Sequence, residues 1–162
     1  MEVAKAEMTD LDRIMEIYRS AQDFMIRSGN PGQWGHLYTA PELVRDDIGA
    51  GRCHVIRDET AVRGVFALFE GEEPTYRIIE DGAWLNDGPY VTIHRLAGDG
   101  QVHGVFRCAA EYCKRKYANI RIDTHAKNLV MQRQIEKNGF VRCGTIHVAD
   151  GSPRLAYQWT AC

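Results

Sequence analysis

The stretch of this chain best suited to holding a ligand is Leu96-Ala97-Gly98-Asp99-Gly100-Gln101-Val102-His103-Gly104-Val105-Phe106. A strand-like run enters a turn rich in glycine, and the turn opens onto helical spacing. The first N–H groups of a helix have no intrahelical acceptor and converge on one spot, where the helix dipole adds positive potential. Glycine permits unusual torsions and close approach by a ligand. An anion such as a pyrophosphate suits that arrangement. The same pattern also serves as an ordinary structural connection. Two histidines could move protons, because histidine titrates near neutrality. His94 lies in the run just before the turn, and His125 follows a later strand. Each has a structural reading beside the catalytic one: a strand histidine bonded to a neighbour, and a loop residue that orients the chain.

The elements that must position these groups are legible from periodicity. A short strand is expected at residues 3–6. Leu11, Ile14, Met15, Tyr18 and Ala21 recur at helical spacing, Phe24 and Met25 extend the stripe, and residues 29–32 close it. Thr9 with Asp12, and Thr39 with Glu42, resemble capping boxes. A short helix carrying Leu43, Val44 and Ile48 follows. Period two then predicts strands at 53–57 and 61–69, joined through a turn at 58–60. Residues 70–89 form an irregular excursion rich in Gly, Pro, Asp and Glu. Excursions of that length are uncommon unless they serve a function. Beyond it come a strand (90–97), a helix (104–117) with Phe106, Ala109, Ala110 and Cys113 on one stripe, and a strand (120–124). A helix (128–138) with Val130, Met131 and Ile135 inward then ends at Gly139, placed for a left-handed cap. Strands at 140–148 and 154–159 finish the chain. The fold class is α/β: a mixed central sheet of about six or seven strands with helices on both faces.

The 162 residues fit a single domain spanning 1–162. Lys+Arg number 20 against 22 Asp+Glu, a net charge of −2. No strong positive field is available to hold nucleic acid. The five cysteines are dispersed without a C-x-x-C pair, so no metal site is suggested and reduced thiols in a cytoplasmic protein are expected. No run reaches the roughly 20 apolar residues that a membrane span needs.

Gln101-x-x-Gly104-x-Phe106 resembles the pyrophosphate loop of the Gcn5-related N-acetyltransferase (GNAT) family, Q/R-x-x-G-x-G/A. Ile120-x-Ile122-x-Thr124-x-x-x-Asn128 looks like the family's L-x-L-x-V-x-x-x-N segment, and Glu136-Lys137-Asn138-Gly139-Phe140 is similar to its E-K-x-G-F ending. The element order matches over nearly the full chain. Residues 90–95, 123–125 and 151–157 also look like one bacterial GNAT subgroup of unassigned acceptor. The resemblance implies a GNAT-like fold and acetyl-CoA as co-substrate. It implies that the pantetheine arm lies where the fourth strand splays from the fifth, bonded to the backbone of Leu96 and Ala97. Gln101, Val102, His103, Gly104, Val105 and Phe106 would surround the pyrophosphate, and Asn128 would contact the coenzyme. An acceptor amine of a small molecule would attack the acetyl thioester directly. His94 and His125 are the catalytic candidates. A homodimer is plausible by resemblance.

Two departures stand out. Phe106 replaces the last small residue of the loop, and its stripe with Ala110 and Cys113 points it to the core. The helix tyrosine that many relatives use as an acid falls at Ile135, so a catalytically silent acyl-CoA-binding domain is the alternative function. A nucleic-acid module ranks third because of the near-neutral charge. The acceptor pocket is expected near Trp34, Tyr38 and Trp84. Glu72, Glu73, Glu80 and Asp81 suggest a cationic acceptor, unless these acids are only a solvated loop face. Arg95 and Asp123, at mid-strand on neighbouring strands, are expected to form a buried ion pair.

Overall fold

The computed structural model describes residues 1–34 and 39–162. In chain order the elements are β1 (Glu2–Lys5), α1 (Leu11–Arg27), α2 (Pro41–Gly49), β2 (Cys53–Arg57), β3 (Val62–Glu70), β4 (Val91–Gly98), α3 (Val105–Lys114), β5 (Asn119–Thr124), α4 (Leu129–Lys137), β6 (Val141–His147) and β7 (Pro153–Thr160). Short 3-10 turns precede α1 (Met8–Asp10) and interrupt the excursion (Pro74–Tyr76). The seven strands form one mixed sheet in the order β1-β2-β3-β4-β5-β7-β6, as expected of the α/β class. No helix among the described residues is long and apolar enough to cross a membrane.

The chain divides into two compact units. The first comprises Met1–Leu68 and His94–Tyr112. Its core gathers Ile14, Ile17 and Tyr18 of α1, Val44 and Ile48 of α2, and Val55 and Val65 of the β2–β3 hairpin. The hairpin turn is an Asp58 device: its Oδ1 accepts from the backbone N–H of Thr60 (2.8 Å) and Ala61 (2.9 Å). The expected caps are displaced. The box before α1 joins Glu7 and Asp10, with the Glu7 N–H donating to Asp10 Oδ2 at 2.9 Å, and α2 starts behind Ala40 with proline at its first position. Proline there gives up an N–H that has no helical acceptor anyway.

The second unit comprises Phe69–Ile93 and Cys113–Cys162. Here β4 runs parallel to β5, with Val91 opposite Ile120 and Thr92 opposite Arg121, and β7 pairs antiparallel with both β5 and β6. The excursion is tied down: Glu80 bridges Thr145 of β6 through backbone bonds of 2.8 and 2.9 Å. Tyr76, Ile146 and Ala156 form a core with Ile79, Trp84 and Tyr90 packed against it. α4 ends as its sequence predicts. Gly139 sits at φ +84°, its N–H reaches Glu136 O at 3.0 Å, and the Phe140 N–H reaches Ile135 O at 3.3 Å, the paired bonds of a left-handed cap. Of the α4 residues expected inward, Ile135 is fully buried, Met131 is half-buried, and Val130 is exposed. The helix stops after Lys137 and buries a narrower stripe than its apolar residues suggest.

Candidate functional site

The β4–α3 connection is set by one acidic side chain. The Asp99 side chain is almost fully buried (5% exposed) and accepts from Arg13 Nη2 at 2.8 Å and Arg63 Nη1 at 3.2 Å. Arg63 also bonds Asp58 at 2.7 Å. The Asp99 N–H donates to Arg63 O at 2.8 Å, and its Oδ1 accepts from the Gln101 N–H at 2.9 Å. Two arginines and a main-chain bond therefore fix where the loop leaves the strand. Gly104 takes φ +87°, a conformation that costs an L-residue about 1–2 kcal/mol. The first intrahelical bond of α3 runs from the Cys108 N–H to Gly104 O (2.9 Å). The N–H groups of Val105, Phe106 and Arg107 thus belong to the first turn, where no helical acceptor exists. Gln101, His103 and Gly104 are exposed and Val102 is half-buried. Phe106 is 5% exposed, so its ring lies in the core and its bulk does not fill the loop mouth. Leu96 and Ala97 are buried, which leaves their backbone as what they can offer a ligand.

Arg95 corrects the ion pair expected with Asp123. It takes φ +51°, which breaks the strand alternation from which its facing was inferred. Its Nη2 bonds Asp47 Oδ2 of α2 at 2.5 Å, and Asp47 also accepts from Arg52 Nε at 3.1 Å. Asp123 accepts instead from the Tyr76 hydroxyl at 2.6 Å. His94, next to the kink, is half-buried.

In the second unit, Asn128 caps α4. Its Oδ1 accepts from the Met131 N–H at 3.0 Å. His125 is held as a turn residue. Its Nδ1 accepts from the Lys127 N–H at 3.0 Å and its carbonyl accepts from the Asn128 N–H at 2.9 Å. Burial, then the charges of Arg154 and Lys127, push the imidazole pKa down. A neutral ring whose Nδ1 already accepts carries its proton on Nε2, so His125 is a donor and not a ready base. Ile135 is fully buried and offers no acid. Tyr157 of β7 reaches α4 and donates to Glu136 Oε1 at 3.3 Å; burial and that carboxylate raise its pKa, so it keeps its proton. The Cys143 thiol is likewise pushed up by burial, as a core cysteine should be.

The aromatic residues separate. Trp34 is 5% exposed and packs edge-on to Tyr18 at 5.6 Å in the first unit's core. Tyr38 lies outside the described residues. Trp84 lines a cleft of about 500 Å³ within the second unit, together with Tyr76, Tyr90, the cations Arg77 and Arg121 and the acids Glu72 and Asp87. Trp84 Nε1 donates to Tyr76 O at 2.9 Å, and the Tyr90 hydroxyl accepts from the Glu73 N–H at 2.8 Å. Two of the excursion's acids are engaged locally. Glu72 pairs with Arg77 at 2.9 Å, and Glu73 accepts from the Thr75 hydroxyl at 2.9 Å. Strand periodicity missed Arg121. It is 5% exposed, with its guanidinium 4.1 Å from the Trp84 ring centre and 3.9 Å from that of Tyr90. In Ile120-Arg121-Ile122 it reads as the solvent-facing partner of two core residues. Nothing local signals that residues 84 and 90 close over it.

With this geometry in place, the comparisons with known proteins are specific about the fold. No family model and no curated protein sequence matches the chain. A GNAT-family acetyltransferase structure from Streptococcus agalactiae matches with TM-score 0.87 and 29% identity, over 99% of this chain and 95% of that one. A GNAT-family acetyltransferase from Listeria monocytogenes matches with TM-score 0.70 and 17% identity, covering 98% and 94%. A ribosomal-protein-alanine N-acetyltransferase from Brucella melitensis matches with TM-score 0.65 and 16% identity, covering 99% and 100%. The chain has the GNAT fold, and the Streptococcus agalactiae match supports an acetyltransferase.

Proposed function

We propose that the chain transfers an acetyl group from acetyl-coenzyme A to the amine of a small molecule. The observation that carries this reading is the full-length match to a GNAT acetyltransferase, TM-score 0.87 over 99% of the chain, in a protein whose β4–α3 loop keeps Gln101 and Gly104. The first-turn N–H groups after Gly104 would hold the pyrophosphate without a cationic side chain, as backbone nests do. Leu96 and Ala97 would bond the pantetheine arm through their backbone, and Asn128 would contact the coenzyme with its amide. The five free cysteines suit a reducing, cytoplasmic setting.

In the reaction the neutral amine attacks the thioester carbonyl. The nitrogen's proton passes to a base, for which half-buried His94 is the candidate. A strand N–H supports the oxyanion. The C–S bond then breaks, and coenzyme A leaves as a thiolate. A thiol with pKa of about 8.5 is a fair leaving group near neutrality, so a core isoleucine at position 135 is compatible with turnover. That same isoleucine favours the alternative, an acyl-CoA-binding domain without chemistry. Release of free thiol from acetyl-CoA, assayed across a panel of small amines, separates the two. Amine-dependent release that falls in His94→Ala supports the enzyme, whereas coenzyme binding without release for any amine supports the silent domain.

A further inference from the structure

Among the described residues, the guanidinium groups of Arg13, Arg52, Arg57, Arg63, Arg77, Arg95 and Arg107 form ion pairs with carboxylates. Arg121 is as buried as any of them, yet among the described residues no carboxylate pairs with it. Its Nε donates to Gln158 Oε1 at 3.3 Å and its Nη2 to the Asn86 carbonyl at 2.9 Å, both neutral amide oxygens. Two of its five N–H donors are thereby used, and the Tyr90 side chain accepts a further hydrogen bond. The Trp84 and Tyr90 rings cover its faces and lower the cost of burial through their negative π surfaces. The ring faces themselves are not the in-plane, charged acceptors that a guanidinium fork prefers. Burial still depresses the Arg121 pKa, the sign of a cation short of compensation.

Arg121 also lines the cleft. The cleft's other cation, Arg77, is matched by Glu72 at 2.9 Å, and Asp87 also lines the cleft, so it offers a ligand one guanidinium that no carboxylate pairs and, beside it, one carboxylate. A single planar cation fits a carboxylate better than a phosphate dianion. We propose that the cleft around Arg121 recognises the carboxylate of an acceptor that bears both an amine and an acid group, as an α-amino acid does. The amine half of this inference rests on the acetyltransferase reading; the anion half stands on the cleft alone. It replaces the purely cationic acceptor suggested by the acidic excursion, whose Glu72 and Glu73 are engaged by their own neighbours.

The test is a binding titration of the full chain with free α-amino acids and with their carboxamides, followed by tryptophan fluorescence, with Trp84→Phe identifying the reporter. At least one amino acid should bind roughly tenfold or more tightly than its carboxamide, the scale of one charge-assisted bidentate contact. Arg121→Gln should abolish that ratio while leaving carboxamide binding unchanged, and Arg121→Lys should recover part of it. A merely structural Arg121 predicts instead that Arg121→Gln weakens acid and amide together, which would overturn the proposal. Equal affinity of acids and amides in the unmutated protein, or no binding by any acid, would overturn it without any variant. Thiol release from acetyl-CoA is scored separately. Turnover without acid preference refutes the Arg121 inference alone, while acid-selective binding without turnover refutes the enzymatic reading alone.

Discussion

The β4–α3 loop presents its backbone and uses side chains as anchors: Asp99 points inward to Arg13 and Arg63, Phe106 lies in the core, and Gly104 carries nothing outward. The Arg121 cleft does the reverse. Its walls come from the irregular excursion and from β5, and the side chains of Trp84, Tyr90 and Arg121 form its surface. A backbone cradle suits a group shared by every reaction of a fold, because N–H geometry survives side-chain drift. A side-chain cleft suits a group that differs between enzymes. The Brucella melitensis match, which shares this fold at 16% identity, is a ribosomal-protein-alanine N-acetyltransferase, so the fold by itself does not select an acceptor.

That contrast can be broken most sharply at Gly104. Gly104→Val sets a Cβ 3.6 Å from Met1 Cε and places a β-branched residue at φ +87°, a torsion that strains any L side chain, so the loop backbone must shift. Acetyl-CoA affinity should fall by about a hundredfold or more in a calorimetric titration, with carboxylate binding at the cleft retained. Loss of both would mean that the two regions do not act separately.

Ile135→Ala should cost about 2–5 kcal/mol of stability by denaturant unfolding, because it empties a fully buried site. Ile135→Tyr, which restores the residue many GNAT relatives carry there, should also destabilise through overpacking and should not raise the rate of thiol release. A faster rate would show that departure of the thiolate needs an acid in this protein.

Asp99→Asn keeps the shape of the loop anchor and removes its charge. Coenzyme affinity should drop about tenfold as the charge-assisted bonds weaken, with the acid-to-amide ratio of the cleft unchanged.

The smallest effect is on pH dependence. The folded pKa of His125 lies below its usual value of 6.5, so the unfolded chain binds more protons between the two values. The contribution is present in full above pH 6.5 and is lost as pH falls through the folded pKa. Melting temperature should decline through that acid window, and His125→Asn should flatten the decline slightly.

Sequence made the loop legible because its determinants are local. Three glycines, a strand before them and a helix after them lie within about a dozen residues, and Gly139 similarly announces its own cap. The cleft was not legible, because its parts are separated along the chain and only strand pairing and the excursion's path bring positions 76, 84, 90 and 121 together. The Arg95 partner was missed for a related reason. Period two assumes regular strand torsions, and the left-handed Arg95 departs from them, turning to an α2 residue 48 positions away. Trp34 was grouped with the cleft by its aromatic character, whereas α1 packing draws it into a core of its own.

The central claim is that the β4–α3 loop holds coenzyme A, and isothermal titration of the unmodified chain with acetyl-CoA and with free CoA tests it most directly. Micromolar binding of both, abolished by Gly104→Val, is the result predicted here. Failure of both to bind a correctly folded chain would contradict it.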